Sequence, residues 1–271
     1  MFHINPDGFR VAVTAGEKVQ LGQGAIIGQN VRLGHDVRIG HSVTLGDDVW
    51  IGHSVSIGKN VSIGNGVTLG DDVWIGHSVS IGKNVSIGHD ASIGNGVKIA
   101  NGVRIGRGAS IGNHVVVHTS SLVGNYATIG NFAIIGARVL VGARVLVGAD
   151  TNLGDDVDLG AGVALGNHVT LGDDCIVGHN VRLGDRATFC DAVKLEVGTI
   201  ISAGRDPRGY EVLGFLHNER LMITAGCRTF SLVQARLHWD CENGYPDEVR
   251  ARAFQRKLDY IAAEASSRGW L

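Results

Sequence analysis

Proline is almost missing from this chain, with 3 residues among 271, while glycine is abundant at 41. Glycine at that level without proline excludes a collagen-like triple helix and argues against low-complexity disorder. It points instead to a backbone that turns often, at fixed intervals. Net charge is also lacking, at a formal -2, so no broad basic field marks the chain for nucleic acid. No apolar run is long enough to span a bilayer. The opening "MFHINPDGFRVAVTAGEK" has no basic segment followed by an apolar core, so no secretory signal is expected and the location expected is cytoplasmic. Cysteine is sparse: Cys175, Cys190, Cys227 and Cys241 stand at irregular spacings without a CxxC. They read as reduced thiols, not as a disulfide framework or a zinc site.

What the chain does contain is a period. An aliphatic residue followed by a small one recurs every six residues from Leu21 to Leu195, through Ile27, Leu33, Ile39, Leu45 and Ile51; Phe189 is the non-aliphatic member. Two residues before each stands a second small, mostly apolar residue, such as Val31, Ala91 or Cys175. The residue between them is usually polar, such as Arg32, Thr44 or Lys98. Apolar–polar–apolar is the alternation of a short strand with one buried face. Glycine and then Asp, Asn, His, Lys or Ser supply turn chemistry that tolerates left-handed backbone angles. A strand and a turn every six residues cannot close by hairpins, but it closes as a solenoid in which each hexad is one side of a coil.

The pattern [LIV]-G-x-x-[VA]-x resembles the hexapeptide-repeat family over roughly residues 21–195. That resemblance implies an all-β solenoid, a left-handed parallel β-helix of about ten triangular coils. The expected organisation is an N-terminal lead-in over 1–20, the β-helix over 21–197 and a C-terminal α/β cap over 198–271. The run "VTLGDDVWIGHSVSIGKNVSIG" occurs twice, at Val43–Gly64 and Val67–Gly88. The copies are offset by four hexads, whereas a coil takes three, so Trp50 and Trp74 should fall on different sides. A site specific to one surface would not survive that rotation, and both tryptophans read as structural filler in a scaffold. After Leu195 the hexads stop. Two strands about a His217–Arg220 turn, a short helix with a Ser231–Gln234 capping box, and a helix beginning near Pro246 follow. Val249, Ala253, Leu258, Ile261 and Ala265 supply that helix with an apolar stripe. Its bland role is to cover the open end of the solenoid.

Chemistry is expected in residues 111–148. There the turn slot that elsewhere holds Asp, Asn, Ser or Gly carries His114, Tyr126, Phe132, Arg138 and Arg144. The outward strand slot turns apolar at Val116, Leu122, Ile134, Leu140 and Leu146. Clustered outward apolar residues mark a contact surface, and a homotrimer through these five is expected. His118 breaks the small-residue slot, and one coil earlier the same slot holds Ala100, another departure from glycine. The stretch "VHTSSLVG" is similar to the family's VHPxAxIG. Many family members are acyltransferases in which a histidine deprotonates a hydroxyl or amine acceptor and acyl-CoA supplies the acyl group. The resemblance therefore implies acyl-CoA as co-substrate, with His118 as catalytic base and His114, Tyr126, Phe132, Arg138 and Arg144 as substrate-binding residues.

Other readings compete with this one. His35, His53 and His89 share one column with Asp71 and could hold a metal, yet all occupy an ordinary turn slot, so no metal is expected. A γ-class carbonic anhydrase is rejected, because its histidine pair five residues apart is missing: Asn113 replaces the first member and His118 keeps the second. A non-catalytic trimeric scaffold stays open beside the transferase, because related transferases extrude a long loop and this solenoid has none. An ice-binding solenoid would need regular Thr-x-Thr ladders, which are absent.

Overall fold

The computed structural model describes every residue except 1, 5–9, 13, 190, 207, 218, 226–227 and 241–246. Two-residue strands stack into three parallel sheets that form the sides of a triangular solenoid. The first face runs from Gln20–Leu21 to Arg182–Leu183, the second from Ile26–Ile27 to Thr188–Phe189, and the third from Thr14–Ala15 to Lys194–Leu195. Partners lie 18 residues apart, as in Ser56↔Trp74 and Ile57↔Ile75. Three hexads therefore make one coil, and the coils number about ten, as the period predicts. Phe2–Ile4 pairs antiparallel with Arg10–Ala12 ahead of the first coil.

The hexad explains the geometry. Its outward residue stays exposed while the next is buried, as at Arg38–Ile39 and Ser62–Ile63. The residue before the strand is buried too: Val37, Val61 and Ala109 are among the core residues. Each inward aliphatic contributes about 1.5–3 kcal/mol by burial. Coils are tied edge to edge by backbone bonds such as Ser56 N–H to the Val73 carbonyl at 3.0 Å and Gly58 N–H to the Ile75 carbonyl at 2.8 Å. The chain turns at each corner through one left-handed residue, for example Asp36 at φ 57 and Asn84 at φ 55.

Trp50 lies on the third face and Trp74 on the first, on different sides as the four-hexad offset requires. They are not filler. Both hold the outward strand slot and are 57% and 44% exposed.

Beyond the solenoid, Ile200–Arg205, Glu211–His217, Arg220–Ala225 and Arg228–Ser231 form a four-stranded antiparallel sheet. His217 pairs with Arg220 across the expected turn. Leu213 and Phe215 join the solenoid core, and Phe215 meets the Phe189 ring edge-on at 5.2 Å. The Thr224 hydroxyl donates to the Thr188 carbonyl at 2.5 Å. Helix α1 (Leu232–His238) has the Ser231–Gln234 capping box. Helix α2 (Glu248–Ser267) is capped by the Asp247 carboxylate on the Arg250 N–H; Pro246 lies outside the described residues. Its buried stripe is Ala251, Phe254, Leu258, Ile261 and Ala265. Val249 faces solvent and Ala253 is half-buried, because Phe254 rotates the stripe by stacking on Trp239 at 4.2 Å.

Candidate functional site

The corners carry a second repeating interaction, this one made by side chains. At each regular corner the residue after the glycine reaches back one coil and accepts a hydrogen bond from the backbone N–H of its counterpart. Asn113 Oδ1 accepts from Asn95 N–H at 2.8 Å, and Asp71 Oδ1 accepts from His53 N–H at 2.7 Å. Histidine does the same through Nδ1. His35, His41, His53, His77, His89 and His179 accept from Glu17, Gln23, His35, Lys59, Asp71 and Ala161 at 2.8–3.0 Å. An Nδ1 that accepts carries no proton, so Nε2 of a neutral ring carries it. In the column of His35, His53 and His89 the rings serve as acceptors in this ladder, and His35 and His53 stack at 5.1 Å. Among the described residues no three His, Cys, Asp or Glu side chains are placed to hold a metal.

His118 stands outside this ladder. It is exposed, and among the described residues its imidazole has no hydrogen-bond or ion-pair partner. Only its backbone N–H is engaged, with the Ile135 carbonyl at 2.9 Å. Between Gly16 and Gly184 the slot it holds departs from glycine only at Ala100 and His118. At several corners a Cβ would fall on the next coil's acceptor, Asn65 Oδ1 above Gly46, Asp71 Oδ1 above Gly52 and Asn125 Oδ1 above Gly106, and at others, such as Gly22 and Gly40, on its backbone. Ala100 and His118 stand below Thr119 and Ala137, which place no side-chain acceptor there; Gly124, Gly130 and Gly142 also stand below alanines, yet a Cβ at each would meet the next coil's backbone at 2.5–2.8 Å, so a free corner alone does not admit a side chain. Behind His118 the buried Ser121 replaces the usual valine. Its hydroxyl donates to the Gly136 carbonyl at 2.7 Å and accepts from Val139 N–H at 3.2 Å, pinning this corner to the next coil.

The ladder lapses where the sequence specialises. Thr119, Ala137, Ala143, Ala149 and Ala161 leave the backbone N–H groups of Asn101, Thr119, Asn125, Asn131 and Ala143 without a chain acceptor. Earlier lapses fall under the long side chains Lys59, Lys83 and Arg107. Reading along the chain misses this feature, although its signal is there: small residues at an 18-residue spacing where Asp, Asn or His otherwise stand.

The other expected site residues do not converge within one chain. His118 and Arg138 lie on the edge between the second and third faces. His114 and Phe132 lie on the edge between the first and second, with rings stacked at 5.1 Å. Tyr126 and Arg144 lie on the edge between the third and first. All but His118 hold the left-handed corner position, at φ 56 to 59. Arg138 is occupied by Asp156, with bonds of 2.8 and 2.6 Å. That hydrogen-bonded pairing raises the guanidinium pKa and lowers the carboxyl's. The apolar positions divide similarly. Val116 and Ile134 are neighbours on the second face, and Leu122 and Leu140 on the third. Leu146 lies on the first face beside Thr128. It cannot share the two-face surface of the other four, because the coil carries it one corner further. Cavities of about 490 Å³ beside Lys257 and Tyr260 and about 470 Å³ beside Arg32 and Trp50 lie away from His118.

The family model for the bacterial transferase hexapeptide (six repeats) matches residues 42–73. Residues 42–73 therefore carry hexapeptide repeats that this model recognises. A second model, the GMPPB C-terminal domain, matches residues 70–164. No curated protein matches its sequence. Among solved structures, LpxA from Acinetobacter baumannii is similar at 15% identity, with 93% of each chain covered and a TM-score of 0.39. WeeI from Acinetobacter baumannii AYE is similar at 14% identity and a TM-score of 0.31. The match covers 51% of this chain and 53% of WeeI, about half its length. A mutant of perosamine N-acetyltransferase from Caulobacter crescentus, solved with CoA and GDP-perosamine, is similar at 24% identity and a TM-score of 0.23. That match covers 41% of this chain and 52% of the other.

Proposed function

We propose that this hexapeptide-repeat protein is an acyltransferase that moves an acyl group from acyl-CoA to a hydroxyl or amine of a small, sugar-like acceptor, with His118 as general base. The observation that carries the reading is the state of its imidazole. Six solenoid histidines use Nδ1 to hold the corners, while His118 is exposed with no partner for either ring nitrogen among the described residues. It has the free lone pair a base requires. In the reaction the imidazole takes the proton of the attacking oxygen or nitrogen. The new C–O or C–N bond forms, the C–S bond of the thioester breaks, and the proton passes to the departing thiolate.

The apolar pairs Val116–Ile134 and Leu122–Leu140 flank the His118 edge on both sides. The reading assigns them to a homotrimer in which this edge points toward the three-fold axis. A triangular rod fills about 60° of its 120° sector, so neighbouring faces diverge outward as an open cleft with His118 at its inner margin. Acyl-CoA and acceptor would meet there, in the cytoplasm where acyl-CoA is supplied. A non-catalytic scaffold is the second reading, favoured by the dispersal of the expected site residues over three edges. His118→Ala separates the two. With melting temperature and assembly unchanged, loss of a positioned base lowers acetyl transfer from acetyl-CoA about 10²–10⁴-fold. A wild type that binds no CoA and acetylates no amino-sugar or alcohol acceptor establishes the scaffold instead.

A further inference from the structure

The solenoid leaves two tryptophans on its surface, and the run repeated at Val43–Gly64 and Val67–Gly88 makes each a control for the other. Trp50 and Trp74 share their neighbours in sequence but not in space, because the copies fall on different faces. On the third face Trp50 lies between Arg32 one coil earlier and Thr68 one coil later. On the first face Trp74 lies between Ser56 and Ser92. The corner before Trp50 carries Asp48, whose Oδ1 accepts from Asn30 Nδ2 at 3.1 Å. At the matching corner before Trp74, Asp72 takes the place of Asp48 and Ser54 the place of Asn30.

Around Trp50 lies a cavity of about 470 Å³ whose lining includes Thr14, Asn30, Arg32, Asp48 and the indole, a volume in the range of small-molecule sites. Among the described residues the Arg32 guanidinium has no hydrogen-bond or ion-pair partner, and Asp48 Oδ2 is equally free. One cation and one anion therefore line the cavity without pairing, and no net charge selects a charged guest. Both are exposed, where an ion pair with a ligand gains little. The largest contribution on offer is the indole face, which needs an apolar partner surface, while the groups beside it need hydrogen bonds. A pyranose ring meets both demands: its C–H bonds make an apolar face and its hydroxyls ring the rim. A β-linked glucose residue meets them best, because its substituents are all equatorial and both faces present only C–H.

We propose that the Trp50 cavity is a carbohydrate-binding site for an uncharged pyranose residue, stacked on the indole with its hydroxyls held by Asp48, Asn30 and Arg32. Asp48 Oδ2 and Asn30 Oδ1 accept from hydroxyls, and the Arg32 guanidinium donates to them. Trp74, without the cation and the Asn–Asp pair, does not form such a site. The cavity is not where acyl transfer is placed. Gly46 holds the slot of His118 four coils earlier, so about 19 Å of stack separates the two, too far for a ring on Trp50 to reach the imidazole. The apolar residues Leu122 and Leu140 assigned to the trimer lie four and five coils further along the third face. The site goes beyond the reaction at His118 and does not depend on it.

The test is titration of the isotope-labelled full-length protein with cellobiose, following indole and backbone N–H signals, with inorganic phosphate and choline as charged probes. Cellobiose in the millimolar range should shift the Trp50 indole and the Arg32 and Asp48 amides saturably, and leave the Trp74 indole in place. Trp50→Ala should abolish the Asp48 shift at an unchanged melting temperature, since the side chain it removes is exposed. Asp48→Ala should weaken binding about two- to tenfold. Arg32→Ser, which gives Trp50 the neighbour that Trp74 has, should weaken it similarly, and Trp74→Ala should leave it unchanged. The proposal is overturned if the Trp50 indole does not move with cellobiose in the tens of millimolar. It is overturned equally if Trp50 and Trp74 respond alike, or if phosphate or choline produces the same saturable shifts. Loss of acyl transfer in His118→Ala with cellobiose binding intact is expected, and a wild type without transferase activity that still binds cellobiose would sink the enzyme reading alone.

Discussion

If His118 fits because Ala137 offers no acceptor, the two positions must be energetically coupled, and restoring the regular corner at one should be tolerated only when the other is restored too. Ala137→Asn would place an amide oxygen where His118 carries its Cβ, as Asn65 Oδ1 does over Gly46. In the wild type the new bond to Thr119 N–H is worth about 0.5–1.5 kcal/mol, against about 1–3 kcal/mol for crowding a packed corner, so the variant is neutral to destabilised. In a His118→Gly background the crowding disappears and the same substitution stabilises by about 0.5–1.5 kcal/mol. The coupling is therefore about 1–3 kcal/mol, within the range found for contacting residues. Thermal melts of wild type, both single variants and the double variant close the cycle, at about 2–4 °C per kcal/mol for a chain of this size. Equal effects of Ala137→Asn in both backgrounds would refute the reasoning, since the slot at 118 would then be independent of the acceptor above it.

Deleting Asn65–Gly88 removes four whole hexads and should leave a folded protein, whereas a deletion two residues shorter carries glycine corners into the core; circular dichroism and melting should separate the two sharply, at about 1–5 kcal/mol per misplaced residue. Light scattering should find a trimer, converted to monomer by Leu122→Asp with Leu140→Asp and left intact by Leu146→Asp, because Leu146 lies on the first face. Burial, then the nearby charges of Arg228 and Arg208, lowers the His238 pKa. Its neutral form is favoured in the fold, so the stability it contributes is complete above the unfolded value near 6.5 and is lost as pH falls through that region. Melts of the C-terminal unit at pH 7.5 and 5 should show this loss, and His238→Gln should flatten it.

The solenoid is legible because a six-residue period leaves no freedom: once Leu21, Ile27 and Leu33 point inward, every later residue has an assigned slot. The capping box at Ser231 is equally readable, being local. The tryptophans of the repeated block mislead because their size suggests packing, although the strand alternation already places them outward. The α2 stripe slips because Phe254, in contact with Trp239, outweighs the smaller Val249 and Ala253. Along 111–148 the unusual residues are visible but their distribution is not. Three hexads per coil scatter His118, Tyr126 and Phe132 over three edges, and a reading along the chain runs those edges together. The corner ladder needs the same 18-residue column view.

The central claim is that a side-chain ladder holds the regular corners and is interrupted around His118, leaving backbone N–H groups there without a chain acceptor. Amide hydrogen exchange measured residue by residue tests it directly. The N–H groups of Asn95, Asn113, Ala149 and Asp155, each bonded to a chain acceptor at 2.7–2.8 Å, should be protected. Those of Asn101, Thr119, Asn125, Asn131 and Ala143 should exchange at close to solvent-exposed rates. Uniform protection around the solenoid, or fast exchange at the bonded corners as well, would contradict the account.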